Sequence, residues 1–236
     1  MRSTSIDSAR RLLLAITMVM ATGNHALAQV APSAAEVAAY TGLHAAAQKG
    51  DIAKIERLAA AKADLNARDG NGRTPLHVAA FAGQREAIKT LVKYGADLNL
   101  LDKDRYDGVT IASVANDEET LRVLLAQGAS AKLVTSRYEG TALIAAAHLG
   151  HDGVVKQLIA AGAPLNHVNN LHWTAAIEAV VLGDGGARHQ ETLRALINAG
   201  ANLQLADRQG NTPLQLAKSR GCREMVQMLE RAGKTG

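Results

Sequence analysis

Arg68-Asp-Gly-Asn-Gly-Arg-Thr74-Pro75-Leu76-His77-Val-Ala79-Ala80, followed by Gly83, Leu91-Val92, Gly95-Ala96-Asp97 and Asn99, is the stretch that decides how this chain folds. Thr74 before Pro75 reads as a helix start. A Thr hydroxyl can accept from an orphan backbone N–H, and Pro at the first helical position has no donor to lose. Ala79 and Ala80 are small where a first helix must lie close to its neighbours, and Gly83 supplies the positive φ that ends it. Leu91 and Val92 belong to a second helix ending at Gly95. The stretch is a helix, a turn, a second helix and a protruding hairpin loop.

The same clause returns along the chain, its phase marked by one anchor per copy at Thr41, Thr74, Asp107, Thr141, Thr174 and Thr212. The step is about 33 residues, about five longer between Thr174 and Thr212, and a unit of that size is too small to bury its own apolar face. Such units must stack. Thr-Pro-Leu-His-x-Ala followed by Gly-Ala-Asp-x-Asn, as it stands in residues 74–99, resembles the ankyrin repeat family, and the resemblance runs from residue 40 to the C-terminus. It implies an all-α solenoid of about six helix-turn-helix repeats with protruding β-hairpin loops, at approximately 40–72, 73–105, 106–139, 140–172, 173–210 and 211–236.

Departures from the pattern carry information too. Lys62 stands where the first copy should have its terminal Gly, a substitution that costs up to roughly 1 kcal/mol if the site is left-handed. The third copy is the weakest, with Asp107-Gly-Val-Thr-Ile-Ala112 in place of Thr-Pro-Leu-His-x-Ala and Asn116 in place of the helix-ending Gly. Asn tolerates that backbone, so a degenerate repeat is expected rather than a missing one. The extra residues of the fifth copy fall near Gly183-Asp-Gly-Gly-Ala187, between its two helices. The third copy and this insertion are where the stack is expected to open first.

The first residues do not share the pattern. Arg2, Arg10 and Arg11 precede the apolar run 12–21, and Ala26-Leu27-Ala28 has the small-x-small form of a signal peptidase site. Residues 1–28 therefore read as a cleaved signal peptide, which places the mature protein in the periplasm or, alternatively, among secreted proteins. Arg10-Arg11 is a weak sign of twin-arginine export, and the ordinary secretory route is expected. Without the signal the formal charge falls from +4 to about +2, with no basic run of the kind nucleic-acid binding requires. One cysteine, Cys222, excludes an internal disulfide. Residues 29–39 read as a capping segment, since Ser33-Ala-Ala-Glu36 has the form of a capping box. At the other end Met225, Val226, Met228 and Leu229 form the inward stripe of a last helix. A monomer is expected.

Nothing in the sequence suggests catalysis: no nucleophile elbow, phosphate loop, His-Glu-x-x-His or metal-spaced Cys pair occurs. No cofactor or metal is expected. His44 and His77 hold the repeat's own His position, where the family's ring stitches neighbouring backbone turns together. In ankyrin proteins the hairpin tips and the exposed side of the first helices form a concave surface that holds a protein partner, so residues off the consensus carry the specificity. The chain has one Trp, one Phe and four Tyr. Tyr40, Tyr106 and Trp173 stand one residue before an anchor, where the second copy has Arg73; Tyr138 lies in the fourth hairpin and Phe81 near the end of a first helix. The residues homologous to Phe81 and its successor are His148 and Leu149 in copy four and Val181 and Leu182 in copy five. Tyr40, Arg73, Phe81, Tyr106, Tyr138, His148, Leu149, Trp173 and Val181 are thus the candidate partner contacts, since aromatic, Arg and apolar anchors are what protein interfaces select.

The first functional reading is a non-enzymatic module that binds another periplasmic or secreted protein. Exported bacterial ankyrin proteins resemble inhibitors or immunity factors that block an enzyme, and accessory factors of periplasmic enzymes, including those of oxidative-stress defence. The alternative reading is a small-ligand or haem carrier using His148, His151, His167, His172, His189 and Trp173. For the leader, intact-mass and N-terminal analysis of protein recovered from the periplasm should give a chain beginning at Gln29; a chain that keeps Met1 would refute the cleavage.

Overall fold

Each anchor starts a helix as its chemistry requires. Thr74, Asp107, Thr141, Thr174 and Thr212 have extended backbone, and each side chain accepts a hydrogen bond from the N–H three residues on. Thr41 makes no such bond. The computed structural model describes residues 30–234, and of these residues 31–234 belong to one compact unit. The short helix α1 (Ala34–Ala39) precedes six helix pairs: α2 (Gly42–Lys49) and α3 (Ile52–Ala60), α4 (Pro75–Phe81) and α5 (Arg85–Lys93), α6 (Gly108–Val114) and α7 (Glu118–Ala126), α8 (Ala142–Leu149) and α9 (Asp152–Ala160), α10 (Ala175–Val181) and α11 (Ala187–Asn198), α12 (Pro213–Ser219) and α13 (Arg223–Ala232). First helices pack on first helices and second on second, giving two rows. Between them run Leu76, Ile88, Leu91, Ile111, Leu121, Leu124, Leu143, Leu158, Leu193 and Leu196, all buried among small Ala residues. The chain is an all-α solenoid.

The loops expected as β-hairpins are tight turns. Among the described residues the only bridge pairing is Thr135 with Gly140. A side chain organises each turn instead. Asp69 Oδ1 accepts from the N–H groups of Asn71 and Arg73, both at 2.8 Å. Asp102, Asn169 and Asp207 repeat the arrangement on the second and fourth residues after themselves. The fourth residue of each turn is left-handed: Gly72, Arg105, Glu139, His172 and Gly210. This local bonding satisfies the backbone without a partner strand.

Neighbouring repeats are then stitched by side chains bonding to backbone. His44 Nε2 donates to the Arg73 carbonyl at 2.9 Å and His77 Nε2 to that of Tyr106 at 3.0 Å. His77 Nδ1 meanwhile accepts from the Thr74 N–H at 3.1 Å, which fixes the neutral tautomer, and burial lowers the ring's pKa. The Asn ending the repeat clause makes a second seam: the Oδ1 atoms of Asn66, Asn99 and Asn166 accept from the N–H groups of Asp97, Ser130 and Asn202.

The irregular copies keep the scaffold by other means. Lys62 (φ 59°) and Asn116 (φ 54°) adopt the left-handed backbone that Gly would have supplied. The residues 183–186 are tied down by the Asp184 carboxylate on the Gly186 N–H, by the Gln190 amide on the Gly185 carbonyl and by the Arg220 guanidinium on the Gly183 carbonyl. Asp107 is the exception. Its Oδ1 caps α6 at Thr110, but Oδ2 is buried without a partner, and burial raises the carboxyl's pKa.

A carboxyl whose pKa is raised on folding adds stability below its unfolded pKa, and that contribution is lost as pH rises through the folded value. Asp107→Thr keeps a capping oxygen and removes the buried charge, so it should stabilise the protein at pH 7 by roughly 1 kcal/mol. The gain should shrink toward pH 4. Urea unfolding of both proteins at the two pH values measures this, and a variant less stable at pH 7 would contradict it.

Candidate protein-binding face

The first helices and the turns that precede them present one continuous face. Reading the residue after Ala79-Ala80 and its homologues gives Gln48, Phe81, Val114, His148, Val181 and Ser219; the next position gives Lys49, Ala82, Ala115, Leu149, Leu182 and Arg220. The four middle repeats are apolar here except at His148, while both ends are polar. Phe81, Val114, Val181 and Leu182 are half-buried and Leu149 is 39% exposed. Of the six exposed large apolar side chains among the described residues, Val134, Leu149, Val168 and Leu171 lie between the end of the third repeat and the end of the fourth, and only Val30 and Tyr94 lie elsewhere. The water-facing apolar surface is thus concentrated on one part of the stack.

Tyr106, Tyr138 and Trp173 line the adjoining turns and are half-buried. Their backbones are held by the turn side chains: Tyr106 N–H by Asp102 at 2.9 Å, Tyr138 by Ser136 at 3.2 Å and Trp173 by Asn169 at 2.9 Å. Burial raises the Tyr106 pKa, so its hydroxyl stays protonated at neutral pH. Phe81 and Tyr106 also pack against the core. These side chains are half-exposed, on turns and helix ends.

Arg73 is a correction. It was expected among the contacts, yet it is only 2% exposed. Its Nε donates to Asp69 Oδ2 at 2.8 Å and its Nη2 pairs with Glu36 on α1. Glu36 closes the capping box with Ser33, and these bonds, with Arg73, lower its pKa. Tyr40 joins the same cluster, its hydroxyl donating to Asp69 Oδ2 at 2.8 Å. Burial, and then the Asp69 carboxylate, raises the Tyr40 pKa. Residue 73 thus holds the capping helix, because its guanidinium offers several donors to two carboxylates at once. Tyr40 has one face committed to that task.

The later histidines are scaffold in large part. His151 Nδ1 donates to the Ser113 carbonyl at 2.9 Å, His167 Nε2 to that of Glu139 at 2.6 Å, and His189 Nε2 to that of His148 at 3.0 Å. Among the described residues, no group of three or more His, Cys, Asp or Glu side chains is placed to hold a metal ion. His148 differs from its fellows: Nδ1 lies 3.3 Å from the buried carboxylate of Glu178. Sequence reading missed Glu178 and Asn169, whose Nδ2 donates to Glu178 Oε1 at 3.1 Å. The signal was available, since the homologues of Glu178 are Ala45, Val78, Ile111, Ala145 and Leu216.

Comparison with known proteins agrees with this architecture. A family model of ankyrin repeats in three copies matches residues 12–102 and 109–187, and one of many copies matches residues 179–230. The putative ankyrin repeat protein YahD of Escherichia coli K12 is 40% identical over 99 residues, which are 42% of this chain and 49% of YahD. The chain thus matches about half the length of that relative. A crystal structure of an ankyrin repeat domain from Acinetobacter baumannii is 44% identical, covers 81% of this chain and 97% of its own, and superposes with a TM-score of 0.76. A chain from the complex of the Bdellovibrio bacteriovorus predatory endopeptidase Bd0816 with immunity protein Bd3460 is 26% identical, with 81% and 98% coverage and a TM-score of 0.64. With its capped first helices, its stitched turns and these likenesses, the chain belongs to the ankyrin repeat family, whose repeats form protein-binding modules.

Proposed function

We propose that this protein is exported to the periplasm, where the face built by its first helices and turns binds and restrains an enzyme. The observation that carries the reading is the apolar, half-exposed stripe of the middle repeats, from Phe81 through Val114 and Leu149 to Val181 and Leu182. Side chains fixed on helix ends and tight turns lose little entropy on binding, which favours a pre-formed protein contact. The resemblance to a chain of an endopeptidase–immunity protein complex supports the inhibitory reading over an accessory one. The commitment of His151, His167 and His189 to backbone carbonyls favours a protein partner over a small ligand.

Immobilised residues 29–236 should retain a periplasmic enzyme that the Tyr106→Ala, Trp173→Ala double variant, still folded by circular dichroism, retains at least about 30-fold more weakly. Addition of the wild-type protein should lower that enzyme's activity. Equal retention by both forms would refute the face, and a rise in activity would replace inhibition with assistance.

A further inference from the structure

Glu178 places a carboxylate where the other repeats have an alanine or a larger apolar side chain, buried at Val78 and Ile111 and half-buried at Ala45, Ala145 and Leu216. Its side chain is 5% exposed. Asn169 Nδ2 donates to Oε1 at 3.1 Å, whereas Oε2 is buried with no hydrogen-bond partner. His148 Nδ1 comes within 3.3 Å of Oε2 but without hydrogen-bond alignment, and the His148 side chain is 36% exposed. The imidazole therefore screens the carboxylate from solvent. A buried carboxylate oxygen that accepts no hydrogen bond is rare in folded proteins and is costly to stability, so its persistence calls for a use.

We propose that Glu178 is the floor of a socket for an arginine side chain of the bound partner, with His148 as the movable lid. This inference rests on the protein-binding reading above and names the chemistry of one contact within it. The chemistry fits a guanidinium in three respects. A planar fork supplies the donors that Oε2 lacks. Asn169, which holds Oε1, shares its turn with Trp173, and the Asn170 N–H bonds to the Tyr138 carbonyl at 2.9 Å, so two aromatic residues belong to the turns at Asn169. The surrounding apolar stripe, with exposed Leu149 and Leu171, would cover the aliphatic stem and exclude water from the pair. Where the socket is filled, Oε2 gains the donors that the fold does not give it.

The probe is N-acetyl-arginine amide, titrated into the purified protein with the His148 ring and Trp173 indole resonances followed by NMR. N-acetyl-glutamate amide serves as the control. Saturable shifts with the arginine compound alone are expected. In Glu178→Gln, which keeps an acceptor for Asn169, half-saturation should move up by at least about tenfold. His148→Ala, which removes the lid, should bind the arginine compound more tightly. No saturable shift, an equal response to the glutamate compound, or an unchanged midpoint in Glu178→Gln would overturn the socket. Loss of binding in His148→Ala would overturn it too. Partner capture that still depends on Trp173 after such a result would leave the binding face standing without the socket.

Discussion

A unit of about 33 residues cannot bury its own apolar face, and everything else in this protein follows from that constraint. Each repeat is stable only because its neighbours cover it. The interior is accordingly built from alanine and branched aliphatic side chains that let rows of helices approach closely. Apolar contact alone would allow neighbours to slide, so the seams are pinned by directional bonds from side chains to backbone carbonyls and N–H groups of the adjacent repeat. A carbonyl bonded to an imidazole from the next repeat fixes both spacing and rotation. The aromatic residues lie outside this tight interior, and Tyr40, Phe81 and Tyr106 pack against its edge.

Much of this was legible in the sequence because repetition allows each position to be read several times. The helix starts at the Thr anchors and the left-handed Asn116 and Lys62 follow from comparing one copy with another, and the structural duty of His44 and His77 follows from the resemblance to the family. The turns were less legible. Their Asp or Asn organiser looks like any polar loop residue, and its bonding replaces the strand pairing that the hairpin expectation assumed. Arg73 was misread for a related reason. Its homologues Tyr106 and Trp173 are half-exposed, but α1 lies over the first turn and supplies Glu36, which draws the guanidinium inward. Position in the repeat predicts exposure only where the neighbouring repeat is itself regular.

Glu178 illustrates the complementary lesson. A charge at a position that elsewhere is apolar is visible in the sequence once the copies are aligned, yet its environment depends on His148 from one repeat and Asn169 from a turn. Sites of this kind arise at seams, because each repeat contributes one wall. The same arrangement makes the face specific without disturbing the stack: the consensus residues fold the chain, while the variable positions at a seam choose what it holds.

Coupling between neighbouring repeats is the core of this account, and native-state hydrogen exchange resolved by residue tests it most directly. In a stack that depends on neighbours, protection should rise from the ends toward the middle. The third repeat carries a buried, half-partnered Asp107, so amides of α6 and α7 should exchange faster than those of α4, α5, α8 and α9, although they lie further inside than α4 and α5 and as far inside as α8 and α9. Protection that is uniform across all six repeats, or that peaks in the third, would contradict it.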